Sequence, residues 1–123
     1  MSRNQALGRY GEDVACRHLE QVGLRVLERN WRCREGEIDI VAQADGVLVV
    51  CEVKTRSGNH FGGAREAFTA SKIRRLRRLA GLWLRSAPGR GIPARFTGVR
   101  LDAIAVQRPV RGPAVVEHIV GVG

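Results

Sequence analysis

The 123-residue sequence predicts an α/β fold: a mixed β-sheet flanked by helices, in the order αβββαβ, with a further strand near the C-terminus. Three observations carry that reading. Two segments, about 4–22 and 69–86, repeat apolar residues at helical spacing. Two β-rich runs, 37–43 and 47–54, are joined by Ala44, Asp45 and Gly46, and Asp-Gly between such runs is a strong hairpin signal. The alternation of helical and extended segments suits a layered domain, and the length suits one domain, residues 1–123.

The first helix rests on Leu7, Tyr10, Val14, Ala15, Leu19 and Val22, and Gly23 supplies its stop. Residues 24–31 mix β-formers with charge and read as a strand, followed by the hairpin and then by a glycine-rich loop, 57–63. Thr69 is the expected N-cap of the second helix, whose core stripe is Ile73, Leu76, Leu79, Ala80 and Trp83. Arg74, Arg75, Arg77, Arg78 and Arg85 occupy the rest of that helix. Residues 88–93 read as a loop, 96–106 and 114–120 as strands, and the tail after Gly121 as a fraying end.

Composition narrows the function classes. Residues 1–11 hold no apolar block of the signal-peptide kind, and the longest apolar run, 47–51, is too short to span a bilayer, so the expectation is a cytoplasmic protein without a membrane partner. Cys16, Cys33 and Cys51 are odd in number and widely spaced, which fits reduced, structural thiols rather than a zinc site. His18, His60 and His118 are equally scattered; His18 falls mid-stripe on the first helix and reads as core, while nothing pairs His60 with a nucleophile. The formal charge of +9 and pI near 11.1 favour a polyanionic partner, nucleic acid above all. The competing reading is a solvated surface with an arginine bias: 21 basic residues include lysine only at Lys54 and Lys72.

The hairpin carries the chemistry. With Asp45 and Gly46 as the central turn residues, Ala44 pairs with Val47, Asp39 falls opposite Glu52, and Glu37 opposite Lys54, all four on one face. Two carboxylates across a ladder repel, and the flanking Ile38, Ile40, Val41, Val49, Val50 and Val53 predict burial, where unpaired charge is costly. A divalent cation between Asp39 and Glu52 relieves this, and hard oxygen ligands suit Mg²⁺ or Mn²⁺ better than zinc. Lys54 is then a compact ammonium able to hold a phosphate or orient a water. The bland alternative is a Glu37–Lys54 ion pair with Asp39 bonded to backbone at a strand end.

These residues resemble the core of the PD-(D/E)XK nuclease superfamily, with Asp39 as the first acid and Glu52-Val53-Lys54 as the second half. More closely, the chain resembles the YraN-like family, whose relatives include archaeal-type Holliday-junction resolvases. The similarity runs through Gly8, Gly11-Glu12, Asn30-Trp31-Arg32, Gly36-Glu37-Ile38-Asp39, Glu52-Val53-Lys54-Thr55-Arg56, Phe61-Gly62, Lys72 and Leu101-Asp102. A proline that often precedes the first acid is replaced by Ile38. The resemblance implies a restriction-endonuclease-like three-layer fold and metal-dependent phosphodiester hydrolysis, DNA ahead of RNA as substrate, branched or structured DNA in particular. It also suggests a homodimer.

Helical stepping places Glu12 at the edge of the apolar stripe, between an exposed acid and one leaning toward the sheet, and the resemblance adds it to the metal ligands. Lys72 reads as a snorkelling side chain, with phosphate contact as the second reading. Arg56 continues the Lys54 face and is a candidate phosphate contact; Arg74, Arg75 and Arg78 lie on a face that either follows a nucleic-acid backbone or is simply solvated. Asp102 reads as ending or capping a strand. Three functions follow: a nuclease using Asp39, Glu52 and Lys54, with Glu37 tuning Lys54; a nucleic-acid-binding protein that keeps the fold without cutting; or a basic protein–protein adaptor.

Overall fold

The computed structural model describes residues 2–58, 65–92 and 95–123. Helix α1 spans Arg3–Gln21. The Ser2 hydroxyl accepts the Gln5 N–H at 3.1 Å while Gln5 Oε1 accepts the Ser2 N–H at 2.9 Å, a reciprocal cap that satisfies two donors at the helix start. Gly23, at φ 96°, ends it, because only glycine enters that region freely. Strands β1 (Arg25–Cys33), β2 (Gly36–Ala44) and β3 (Val47–Ser57) follow. Helix α2 (Ala70–Ser86) crosses to β4 (Gly98–Arg108), and β5 (Val115–Ile119) closes the order. The Thr69 side chain caps α2 as its sequence predicts, accepting the Lys72 N–H at 3.3 Å.

The five strands lie in the order β1-β2-β3-β4-β5, with β3 and β4 parallel and the other pairs antiparallel. The hairpin turn has φ 49° at Asp45 and φ 81° at Gly46, the backbone that a two-residue turn between twisted strands requires. β3 sits mid-sheet, covered on both faces, which explains its near-continuous valine run. On one face Ala15, Cys16 and Leu19 of α1 pack with Ile40, Ala42, Val49, Cys51, Ile104 and Val106. On the other, Leu76, Leu79, Ala80 and Trp83 of α2 pack with Ile38, Val41, Leu48, Val50 and Leu101. The result is helix, sheet and helix in three layers, the arrangement expected from the sequence.

Several boundaries differ from that expectation. β3 continues to Ser57, where the sequence suggests a loop, because β4 pairs beside it as far as Arg108. Residues 59–64, most of the expected glycine-rich loop, lie outside the described residues, as does His60. The tail after Gly121 is anchored rather than frayed: Gly121 N–H donates to Asp102 Oδ1 at 3.1 Å and Val122 N–H to the Leu101 carbonyl at 2.8 Å. Asp102 sits mid-strand in β4 and fully buried rather than at a strand end, and its carboxylate takes up the Gly121 N–H just beyond β5. Among the described residues, no helix is long and apolar enough to cross a membrane.

Candidate functional site at the strand ends

The hairpin pairs in the expected register from Ala44–Val47 to Ile40–Cys51, and there the ladder stops. The strand also changes face at that point. Ile38 packs with the α2 cluster and Ile40 with the α1 cluster, although residues two apart on a regular strand share a face. β1 is distorted at the matching position: Asn30, flanked by the pairs Arg29–Ile40 and Trp31–Ile38, has φ 52°. Asp39 therefore does not face Glu52 across a ladder. Its Oδ2 accepts the Val53 N–H at 2.8 Å, so the side chain takes over where backbone pairing ends.

The expected Glu37–Lys54 cross-strand pair is likewise absent, since the ladder has already ended. Glu37 lies opposite Arg32 of β1 and forms an ion pair with it at 3.4 Å. Regular alternation, on which the expected four-residue face depended, fails where the strands part.

Asp39 is still surrounded by acid. Burial pushes its carboxyl up to about 7; the Val53 N–H opposes that shift, while the charges of Glu12, Glu52 and Glu37 add to it in that order. Glu12 thus faces the sheet, the reading that helical spacing alone left open. Two clefts share Glu12. One, of about 650 Å³, is bounded by Arg9, Glu12, Asn30, Arg32, Glu37 and Asp39. The other, of about 260 Å³, is bounded by Gly8, Glu12, Val53, Lys54 and Thr55. Asp39 and Lys54 consequently open on either side of a helix acid. α1 comes this close because Gly11 has no side chain: a Cβ there would lie 1.8 Å from Thr55 Oγ1.

Glu52 points toward α2, where Arg75 reaches its Oε1 at 3.6 Å. The donors around Asp39 are oxygens, chiefly carboxylates, with no thiol or imidazole among the cleft residues described, which fits a hard divalent cation keeping most of its water and does not fit a closed zinc centre. Among the described residues, no three His, Cys, Asp or Glu side chains converge as a ready metal cage. Asp39 with Glu12 or Glu52 is the pair that could hold such an ion.

The arginine face of α2 is partly engaged. Arg78 pairs with Glu35 and Arg75 with Glu52, while Lys72, partly buried, donates to the Ala67 carbonyl at 3.1 Å. Arg56 and Arg74 are exposed. Sequence reasoning missed Arg9 as a site residue, although positions 5, 8, 9 and 12 share a helical face, which was the available signal.

It also missed a buried polar cluster on the α1 side of the sheet. Arg100 meets Asp102 in two bonds of 2.9 Å, His118 Nε2 lies 2.7 Å from Asp102 Oδ2, and His118 Nδ1 lies 3.0 Å from His18 Nε2. His18 is held below its ordinary value by burial and by His118. The i, i+2 spacing of Arg100 and Asp102 was legible; their partnership with two histidines about a hundred positions apart was not. All three cysteines are free thiols, and burial pushes those of Cys16 and Cys51 up, so neither is a ready thiolate.

Residues 11–106 match the family described as "Uncharacterised protein family UPF0102". A UPF0102 protein of Kineococcus radiotolerans is 56% identical over 117 residues, covering 95% of this chain and 93% of its own. One of Frankia casuarinae is 53% identical over 121 residues, covering 98% of each chain. One of Streptomyces coelicolor is 53% identical over 123 residues, covering 99% of this chain and 92% of its own.

Proposed function

The chain belongs to the UPF0102 family, and we propose that this member is a Mg²⁺- or Mn²⁺-dependent endonuclease that hydrolyses phosphodiester bonds in DNA, with branched or otherwise structured DNA as substrate. The observation that carries the reading is Asp39: a carboxylate placed where two strands part, tied to the Val53 N–H, pushed up to about 7 first by burial and further by the charges of Glu12, Glu52 and Glu37. A fold that concentrates acid in this way while carrying +9 overall has a place for a cation and an attraction for a polyanion.

A divalent ion supplies charge neutralisation at a scissile phosphate and activation of water. Asp39 would hold it, with Glu12 and Glu52 on either side. Lys54, exposed and lining the cleft next to Glu12, holds a phosphate oxygen or orients the attacking water. Arg56, further along the same strand, contacts the adjoining backbone, and Glu37, paired with Arg32, adds its charge to the acid around Asp39. In this reading the α2 arginines are auxiliary, because none of them lines the cleft that holds Asp39.

A second reading, a DNA-binding protein that does not cut, is favoured by one observation: Glu52 is paired with Arg75 and no three-ligand cage is assembled among the described residues. The test is cleavage of labelled four-way junction, flap, single-stranded and duplex DNA with Mg²⁺ or Mn²⁺, comparing wild type with Asp39→Ala and Lys54→Ala. Loss of cutting by at least about a hundredfold in both variants, with binding retained, is the expected outcome. Binding without cutting on every substrate and metal would leave the second reading.

A further inference from the structure

The positive face that grips the substrate need not be the one most crowded with arginine. On α2, Arg78 pairs with Glu35 and Arg75 with Glu52, and Lys72 donates to a backbone carbonyl. That helix also packs on the face of the sheet opposite α1. The cleft that contains Asp39 lies under the N-terminal half of α1, and its two basic members are Arg9 of α1 and Arg32 of β1.

What sets these two apart from the α2 stripe is place: they line the cleft that holds Asp39, and the α2 arginines do not. Arg9 is exposed and makes no ion pair among the described residues. The Arg32 side chain is 77% exposed, and its ion pair with Glu37, at 3.4 Å, is of the surface kind that contributes little and exchanges readily. Guanidinium groups grip phosphate oxygens in two-point fashion, which suits a backbone contact better than a point charge does. The cleft's volume of about 650 Å³ is within the usual range of binding sites, roughly 300–1,000 Å³. Asn30, with φ 52°, lines the same cleft and marks the local distortion of β1 there.

We propose that Arg9 and Arg32 form a phosphate clamp at the α1–β1 cleft, taking the backbone of one nucleic-acid strand so that the adjoining phosphodiester is presented to Asp39. This deepens the proposed function and rests on its nucleic-acid half, not on cutting.

The experiment is fluorescence anisotropy in EDTA, with a labelled four-way junction and a labelled single strand, over a range of salt. The proteins are wild type, Arg9→Ala/Arg32→Ala, and Arg17→Ala/Arg25→Ala, which removes the same charge from exposed positions toward the other end of α1 and β1. The clamp predicts that Arg9→Ala/Arg32→Ala binds at least about tenfold more weakly at 100 mM salt and that the slope of log affinity against log salt falls by about two. The control pair should change affinity less than about threefold. Equal losses in the two double variants would reduce the effect to net charge and overturn the clamp, as would an unchanged Arg9→Ala/Arg32→Ala protein. Absence of binding by wild type would overturn both this inference and its premise. Binding that depends on Arg9 and Arg32 in a protein that cuts nothing would support the clamp while ending the nuclease reading.

Discussion

A carboxyl that holds its proton until about pH 7 gives residue 39 a measurable signature. Its unfolded value is near 3.8, so between there and about 7 the folded state binds the proton more tightly than the unfolded chain does. Stability contributed by the neutral carboxyl is therefore complete at low pH and is lost as pH rises through about 7. The loss is on the order of 2–4 kcal/mol for a shift of this size. Asp39→Asn, which keeps an oxygen for the Val53 N–H but cannot ionise, should remove the slope and stabilise the protein at pH 8 by that amount. Urea denaturation of both proteins at pH 5 and pH 8 reads the difference; equal slopes would mean that burial and the neighbouring acids do not raise the Asp39 carboxyl. Since a cation must displace the same proton, Mn²⁺ affinity measured by calorimetry should rise between pH 6 and pH 8 in the wild type.

At the scale of elements, α1 is held against β3 by a glycine. Glycine within a helix ordinarily costs about 1 kcal/mol relative to alanine, so Gly11→Ala on an open surface would stabilise. Here the new methyl would meet Thr55 Oγ1 at 1.8 Å and the Thr55 Cβ and Cγ2 at 2.7 Å, and the helix must lift away. Gly11→Ala should destabilise by about 1–3 kcal/mol, the usual cost of overpacking. The penalty should shrink in a Thr55→Gly background, where the atoms it meets are gone. A double-mutant cycle by thermal denaturation measures the coupling, and additive effects would refute the close approach. Because Glu12 follows Gly11, this contact also sets how far a helix acid reaches toward Asp39.

Over the whole molecule, the cluster around Asp102 joins parts that are distant in sequence: β4 through Arg100, β5 through His118, α1 through His18, and the C-terminal segment through the Gly121 N–H. Asp102 is wholly buried and has no apolar substitute that would satisfy these donors. Asp102→Ala should therefore cost about 2–3 kcal/mol and loosen the tail after Gly121. Chemical denaturation, with amide hydrogen exchange at Gly121 and Val122, reports both effects; a variant as stable as wild type with those amides still protected would show that the cluster is incidental. Acidification strains the same junction, since His18 is held below its ordinary value and resists the proton it would accept in the unfolded chain near pH 6.5.

Local patterns along the chain specify the order of elements, the turn at Asp45 and Gly46, the core stripe of α2, the Thr69 cap and the presence of acids and a lysine on one hairpin. Each of these depends on local rules: helical and strand periodicity, turn backbone preferences and capping chemistry act over a few residues and leave their mark in the spacing. Tertiary structure alone decided how the acids meet. The ladder ends at Ile40 and Cys51 because β2 changes face at Asp39 opposite the unusual backbone of Asn30, and a period-two argument cannot see where a period stops. Long-range packing likewise turned Glu12 to the sheet, engaged Arg75 and Arg78 with acids, placed Arg9 and Arg32 at the cleft and gathered Asp102 with two histidines. Those contacts join residues separated by tens of positions, and their partners are chosen by the three-layer stacking of helix, sheet and helix rather than by any neighbour in the chain.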